Sequence, residues 1–184
     1  MSTPAATAPT SANLSATPIL DYHDGTIRDI AANLRERNPE DRKLLQSAHR
    51  YIADSVKPVY SLDELQPASH TLRKQRGSCS QRMACLEAVV RACDVATRAR
   101  VLRISGRFWY PRFRVFRAFI PRRILLVWPQ FFLEESWVDF DELYSPAAEL
   151  AEVFARFGSF HTTLRGRLFE VIYGGRASFS PSSP

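Results

Sequence analysis

The sequence predicts an α+β domain in which helices come first and an antiparallel sheet follows. Between Asp21 and Cys93, apolar residues recur every three or four positions, which is the period of an amphipathic helix. From Thr97 onward the period changes, and β-branched and aromatic residues dominate as they do in strands. With 184 residues, 45% of them hydrophobic, the chain is long enough for one domain with a sizeable core. Helices followed by strands are typical of the α+β class.

Two polar ends flank the predicted domain. Fifteen of the first twenty residues are Ser, Thr, Ala or Pro and none is charged, so residues 1–20 are predicted to be a disordered tail. Residues 21–173 are predicted to form a single domain, and residues 174–184 a flexible C-terminal tail. No segment has the basic start and apolar stretch of a secretory leader, and three cysteines do not make a disulfide scaffold. These features favour a cytoplasmic protein without a membrane partner.

Three helices are predicted before the first cysteine. The first stops at Asn38–Pro39, where Asn38 is expected to cap the second helix. That second helix ends at Pro58, and a short third helix follows Pro67 and is stopped by Gly77. The apolar residues that define the first two helices are Ile27, Ile30, Leu34, Leu44, Leu45, Ala48, Ile52 and Val56.

The second half of the chain is predicted to contain most of the strands. Segments 97–109, 124–133 and 137–140 are rich in β-branched and aromatic residues. A further helix is expected over 145–158, because Ser and Pro open it and a glycine closes it. Segment 168–173 is the last strand candidate.

A cysteine at the start of the fourth predicted helix, Cys79–Cys93, is the first candidate for chemistry. In Gly77-Ser78-Cys79 a loop turns into this helix, so backbone N–H groups and the helix dipole can stabilise a thiolate and a developing oxyanion. Arg76 and Arg82 are close in sequence and add positive potential. The alternative is that Cys79 is a small buried apolar residue. That interpretation is favoured for Cys85 and Cys93, which lie further along the helix.

Two sequence blocks resemble the transglutaminase-like superfamily. The block TLRKQRGSCSQRMACLEAVVRACDVATRARVLRISG (residues 71–106) is similar to the family's nucleophile helix and the segment that leads from it into the sheet. The block LVWPQFFLEESWVDFD (residues 126–141) is similar to the family's His-Ala-Trp block and the hairpin that follows it. The resemblance covers residues 51–144 and implies a papain-like fold with a Cys–His–Asp triad.

Carried over position by position, the resemblance implies that Cys79 is the nucleophile and Asp141 the residue that orients the histidine. The histidine position itself is Leu126. A positioned general acid or base raises the reaction rate by about 10²–10⁴-fold. An amide substrate needs that residue most, because its amine cannot leave without being protonated. A thioester substrate depends less on the missing histidine, because its thiol can leave as a thiolate. An activated acyl thioester is therefore the favoured donor.

Other residues could compensate for the missing imidazole. His70 precedes the cysteine helix and His161 lies in the C-terminal part, and neither is on an obvious apolar face. His23 lies near the predicted tail, and His49 lies beside an apolar stripe, where a structural or surface role is expected. Asp141 has its own alternative, the polar face of an ordinary strand.

An arginine-rich tract separates the two blocks. Between Val95 and Leu133 there are nine arginines and no acidic residue, with aromatic residues interleaved. One interpretation is a docking surface for an acidic carrier protein, a phosphopantetheine arm or coenzyme A. A nucleic acid is the less favoured ligand, and arginine stems that cover a sheet are the structural alternative. The candidate substrate-binding residues are Arg112, Arg114, Arg117, Trp109 and Trp128.

Two functions remain open from the sequence. The first is a cysteine acyltransferase, cyclase or hydrolase that forms an acyl thioester on Cys79, in small-molecule biosynthesis. The second is a binding protein on a catalytically degenerate fold, which uses its arginine and aromatic surface for an anionic partner. No phosphate-binding glycine loop or metal-ligand spacing is present in the sequence, so no cofactor and no metal are expected.

Overall fold

The computed structural model describes residues 8–59, 63, 65–105 and 123–143. Within them the chain forms four helices and a three-stranded antiparallel sheet, which confirms the predicted α+β class. The helices are α1 (Gly25–Arg37), α2 (Asp41–Ser55), α3 (Ala68–Lys74) and α4 (Cys79–Arg91). The sheet strands are β3 (Thr97–Ser105), β4 (Arg123–Leu133) and β5 (Ser136–Asp139), and two short strands, β1 (Lys57–Pro58) and β2 (Arg76–Gly77), pair separately.

The boundary between α1 and α2 differs from the prediction. Asn38 does not cap α2. It ends α1, and its side-chain amide donates to the carbonyl oxygen of Leu34 at 2.9 Å. Helix α2 starts at Asp41, with Glu40 at the capping position and without a side-chain cap. The Leu34 oxygen also accepts from the Asn38 backbone N–H at 3.0 Å, so the backbone and the side chain of Asn38 together close the C-terminus of α1.

Helix α4 lies at the centre of the described fold, where it contacts α1, α2, α3 and β4. The predicted stripe of α2 faces this core, and each of its five apolar residues is fully buried. Burying one Leu or Ile side chain contributes about 1.5–3 kcal/mol, so the stripe anchors α2 firmly. From the sheet, Phe131 of β4 enters the same core and is fully buried.

The sheet has the order β3-β4-β5 and a single register. Thr97 pairs with Phe131, and Phe131 pairs with Val138 on the third strand. A two-residue turn joins β4 to β5, in which Glu134 and Glu135 have φ angles of 50° and 62°. Two positive φ angles match the twist of a tight hairpin. Strand β5 ends one residue earlier than predicted, and a 3-10 helix, Phe140–Leu143, follows it.

The predicted N-terminal disorder does not hold for residues 8–20. Their carbonyl groups are tied to the domain, because Arg91 donates to the oxygen of Ser15 at 2.6 Å and the Ala68 N–H donates to that of Ile19 at 2.8 Å. The Tyr22 hydroxyl also donates to the oxygen of Leu14 at 2.7 Å. The low charge and small residues of this segment indicated disorder, but hydrogen-bond donors of two buried residues, Arg91 and Ala68, hold it in place. Residues 1–7 lie outside the described residues.

Several predictions fall outside the described part of the chain. These are the helix over 145–158, the strand over 168–173, the C-terminal tail and the last four residues of the strand predicted over 97–109. They stay predictions. In the portion that the structure describes, no helix is long and apolar enough to cross a membrane.

Candidate active site

The candidate nucleophile lies at the first position of α4. Ser78 caps the helix, with its hydroxyl accepting from the Gln81 N–H at 3.3 Å. In return, the Gln81 side-chain oxygen accepts from the Ser78 N–H at 2.8 Å. This reciprocal pair fixes where the helix begins and places Cys79 where the dipole is most positive. Cys79 is half-buried.

A short parallel strand pair positions the segment before Cys79. The Lys57 N–H donates to the Gln75 oxygen at 2.9 Å, and the Val59 N–H donates to the Gly77 oxygen at 3.0 Å. Gln75 ends α3 in the left-handed conformation, with φ of 52°. This strand pair is not predictable from the sequence, since two residues per strand are too few to show an alternating pattern.

Gly77 is needed for close packing and does not end α3 as the sequence suggested. Helix α3 stops at Lys74. A Cβ atom on Gly77 would lie 2.7 Å from Cγ2 of Thr71 and 3.2 Å from Cβ of Gln81. The Gly-x-Cys spacing therefore reflects the approach of this backbone to α3 and to the first turn of α4.

Gln81 links the start of α4 to the preceding loop. Its side chain is buried, and its amide nitrogen donates to the Asp63 backbone oxygen at 2.6 Å. Together with the cap at Ser78, this bond engages both ends of the Gln81 amide. The residue thus holds the loop and the nucleophile position in one arrangement.

Arg82, one turn after Cys79, is 1% exposed. One of its terminal nitrogens donates to the Ala53 oxygen at 3.2 Å, in the last turn of α2. Burial lowers the pKa of Arg82 to about 10, while the neighbouring thiols Cys85 and Cys79 oppose that shift electrostatically. The side chain is therefore still a cation at neutral pH. Arg76, also predicted to add positive potential, is exposed.

The other two cysteines are core residues, as the sequence predicted. Cys85 is fully buried and donates weakly to the Ala68 oxygen, and burial raises the pKa of its thiol to about 12. Cys93 is 6% exposed, and burial also raises the pKa of its thiol. All three cysteines lie in the described residues, and each is a thiol, not half of a disulfide.

The histidines occupy different environments. His70 lies on the exposed side of α3, and His23 is exposed and packs against the Tyr22 ring at 4.3 Å. His49 is fully buried, and its ring meets that of Phe140 edge-on at 4.7 Å. His161 lies outside the described residues. The structure therefore gives His49 a core position, one of the two roles left open for it, and the roles proposed for His70 and His161 stay predictions.

The second block forms β4, β5 and the 3-10 helix. Leu126, where the resemblance implies that the family has its histidine, pairs with Leu102 of β3. Asp141 lies in the 3-10 helix, so it does not belong to the polar face of β5. Trp128 is half-buried and packs edge-on against Phe140 at 5.7 Å, which gives this candidate substrate-binding residue a packing role as well.

The arginine-rich tract is described only in part. Arg98 donates to the Gln130 side-chain oxygen at 2.7 Å, and its guanidinium lies 4.2 Å from the ring centre of Trp137. These are the contacts of an arginine that covers the sheet, which is the structural alternative for the tract. The candidate binding residues Arg112, Arg114, Arg117 and Trp109 lie outside the described residues.

Comparison with known proteins identifies the family. The sequence model of the transglutaminase-like superfamily matches residues 28–142, more than half of the 184-residue chain. The chain therefore belongs to the transglutaminase-like superfamily. The matched region includes Cys79, Leu126 and Asp141. No curated protein and no solved structure matches the chain significantly.

Proposed function

We propose that the protein is a cysteine acyltransferase, cyclase or hydrolase that accepts an acyl group on Cys79 from an activated thioester. The observation that carries the proposal is the contrast among the three cysteines. Cys79 is half-buried at the capped start of α4, whereas Cys85 and Cys93 are buried in the core. Membership of the transglutaminase-like superfamily supports the same position as the nucleophile.

The proposed reaction has two steps. The Cys79 thiolate attacks the thioester carbonyl, a new C–S bond forms, and the bond to the donor sulfur breaks as the donor thiolate leaves and takes a proton from water. Backbone N–H groups at the start of α4 are suited to stabilise the oxyanion between these events. In the second step an amine, water or a nucleophile within the same acyl group attacks the carbonyl and releases Cys79.

Leu126 is the reason for proposing a thioester donor. Leucine neither accepts a proton from Cys79 nor gives one to a leaving group. A positioned acid–base residue raises the reaction rate by about 10²–10⁴-fold. Without it, reactions of amide donors slow by most of that factor, because their amines leave only when protonated. A thiolate leaves without such help. Protein glutamine and peptide bonds are therefore disfavoured as donors.

The direct test is adduct formation with a small acyl thioester, for example an acyl N-acetylcysteamine. Peptide mass spectrometry should find the acyl group on Cys79, with Cys85 and Cys93 as internal controls in the same sample. The Cys79→Ala variant should carry no adduct. If the wild-type thiol is reduced and accessible to alkylation yet acquires no acyl group, the proposal is overturned.

A gain-of-function variant tests the role assigned to Leu126. If only the imidazole is missing, Leu126→His creates amidase or transglutaminase activity. Leu126→Asn is a matched control, because it adds a polar group that cannot act as a base. No gain in the histidine variant would mean that the rest of the site has also been rebuilt.

Leu126 also favours the alternative, a binding protein on a catalytically degenerate fold. Its partner would be an anionic group such as an acidic carrier protein or coenzyme A, bound through the arginine-rich tract. Under this alternative, Cys79→Ala leaves binding of coenzyme A unchanged, and Arg114→Glu with Arg117→Glu abolishes it. Under the enzymatic proposal, Cys79→Ala abolishes the acyl adduct and every product that depends on it.

A further inference from the structure

We infer that Arg82 is a positioning residue that supplies, next to Cys79, the fixed positive charge for which most of the family relies on histidine. The inference rests on the proposed function and deepens it. It names the group that keeps the nucleophile ionised and explains which leaving groups the site can expel.

The two residues are on the same side of α4, because residues three apart share a helix face and side chains lean toward the N-terminus. The Arg82 guanidinium interacts electrostatically with Cys85 and with Cys79. The Arg82 side chain is 1% exposed and cannot turn into solvent without leaving the core. Its hydrogen bond to the Ala53 oxygen at 3.2 Å sets the far end of the guanidinium.

Helix α2 explains why the guanidinium is held there. In a longer helix the Lys57 N–H would pair with the Ala53 oxygen, but here it donates to Gln75 in the strand pair. The Ala53 carbonyl is thus one of the acceptors that a helix C-terminus leaves open, and a cation is favoured at that end. Arg82 satisfies it. The same side chain therefore joins the negative end of α2 to the positive start of α4.

Burial makes this charge effective. An exposed arginine such as Arg76 is screened by water and salt, whereas a buried guanidinium acts through a low dielectric. Burial lowers the pKa of Arg82 only to about 10, so the side chain is still a cation at neutral pH. Cys79 and Cys85 each interact favourably with it when ionised.

The two chemical roles of the histidine, stabilising the thiolate and protonating the leaving group, are separated when arginine replaces it. In a Cys–His pair the imidazolium both stabilises the thiolate and donates a proton to the leaving group. A guanidinium does the first and cannot do the second, because it does not give up its proton near neutral pH. A site built on Arg82 therefore attacks thioesters, whose leaving group needs no proton, and leaves amides intact.

Other ionisable groups near α4 have to be separated from Arg82 in a pH experiment. Cys85 lies on the same helix, and its thiol interacts electrostatically with Asp21. From α2, His49 is fully buried, and from β2, Arg76 is exposed. Asp63 contacts the site through its backbone oxygen. Of the helices packed against α4, α2 carries His49 and α3 carries the exposed His70.

The test is the rate of Cys79 alkylation by iodoacetamide as a function of pH, read by peptide mass spectrometry. In Arg82→Gln the pH midpoint should rise by about one unit, and the rate at pH 7 should fall about tenfold, since a close opposite charge shifts a thiol by at least that much. Arg82→Lys keeps the charge and should stay within about threefold of the wild type. Arg76→Gln, the exposed control, should stay within about twofold.

Two results would overturn the inference. One is an unchanged alkylation profile in a folded Arg82→Gln protein. The other is an Arg82→Lys protein that loses as much alkylation rate as Arg82→Gln, because the effect would then not follow the positive charge. Failure of the proposed function looks different, because Cys79 would then alkylate with the expected Arg82 dependence but take no acyl group from the thioester probe.

Discussion

The start of α4 and its later part hold cysteines in different environments. At its start, Cys79 is half-buried beside the Ser78 cap. Further along, Cys85 is fully buried, and Glu87 and Arg91 meet in the core through the Thr97 hydroxyl, which donates to Glu87 at 2.8 Å and accepts from Arg91 at 2.7 Å.

The difference shows that the position of a cysteine along a helix determines how easily its thiol ionises. Within a helix every N–H is already bonded to a carbonyl four residues back, so Cys85 finds no donors for a negative charge. At the first turn the N–H groups are open, and the dipole adds to them. Cys79 has that setting, and Cys85 has a pKa raised to about 12 by burial.

The largest expected effect is the difference in alkylation between Cys79 and Cys85. At pH 8 a thiol with a pKa of about 12 is only about one part in ten thousand thiolate, and Cys85 is also inaccessible. Cys79 should react at least about a thousandfold faster in the folded protein, measured by peptide mass spectrometry. Guanidinium should abolish the difference, and equal rates without denaturant would contradict the comparison.

The next largest effect is expected at Gly77. Gly77→Ala places a methyl group 2.7 Å from Cγ2 of Thr71, and such overpacking costs about 1–3 kcal/mol. Chemical denaturation should show this loss in the free energy of unfolding. Thr71→Ser removes the methyl group that the new Cβ would meet and keeps the hydroxyl. The double variant Gly77→Ala with Thr71→Ser should therefore recover part of the lost free energy of unfolding. Gly25→Ala is the control, because a Cβ there meets nothing within 4 Å.

Removing the cap of α4 should have a moderate effect. Ser78→Ala loses the acceptor for the Gln81 N–H, which is worth about 1 kcal/mol of unfolding free energy. Ser78→Asp keeps an acceptor and should retain most of the stability. If alkylation of Cys79 is as fast in the alanine variant as in the wild type, the ordered helix start does not matter for the thiol.

The smallest effect concerns the buried carboxyl in the second half of α4. Burial raises the pKa of Glu87 above its ordinary value of 4.5, so the folded chain holds this proton more tightly than the unfolded chain. The carboxyl therefore contributes stability below about pH 4.5 that is lost as the pH rises through the raised, folded-state value. Glu87→Gln cannot titrate, and its unfolding free energy should fall less over that range in urea titrations. Parallel pH profiles for the two proteins would contradict the assignment.

Local sequence patterns predicted much of the fold. The apolar stripe of α2 identified residues that are all buried, and the cluster of β-branched and aromatic residues located β4 to within one residue. Both signals depend on neighbours three or four residues apart, or two in a strand, and such signals can be read from sequence. The Asn38 cap was assigned to the wrong helix, because a single polar residue between two helices fits either end.

The candidate site was predictable in part for the same reason. Cys79 at a helix start is a local feature, and the structure has α4 begin at that residue. The burial of Arg82 and His49 was not predictable, because each depends on another element packing over it. Nor was the close approach of Gly77 to Thr71, which joins β2 to α3.

The sequence by itself determined the order of helices and strands and the family, since both are properties of residues close together in the chain. Only the tertiary structure decided which charges are buried. In it, residues 8–20 hydrogen-bond to Arg91 and Ala68, and the Arg82 guanidinium of α4 hydrogen-bonds to the Ala53 oxygen at the end of α2. The physical reason is that burial and the pairing of open backbone carbonyls depend on elements far apart in the chain, and the free energy of a charge depends on them more than on its own sequence neighbours.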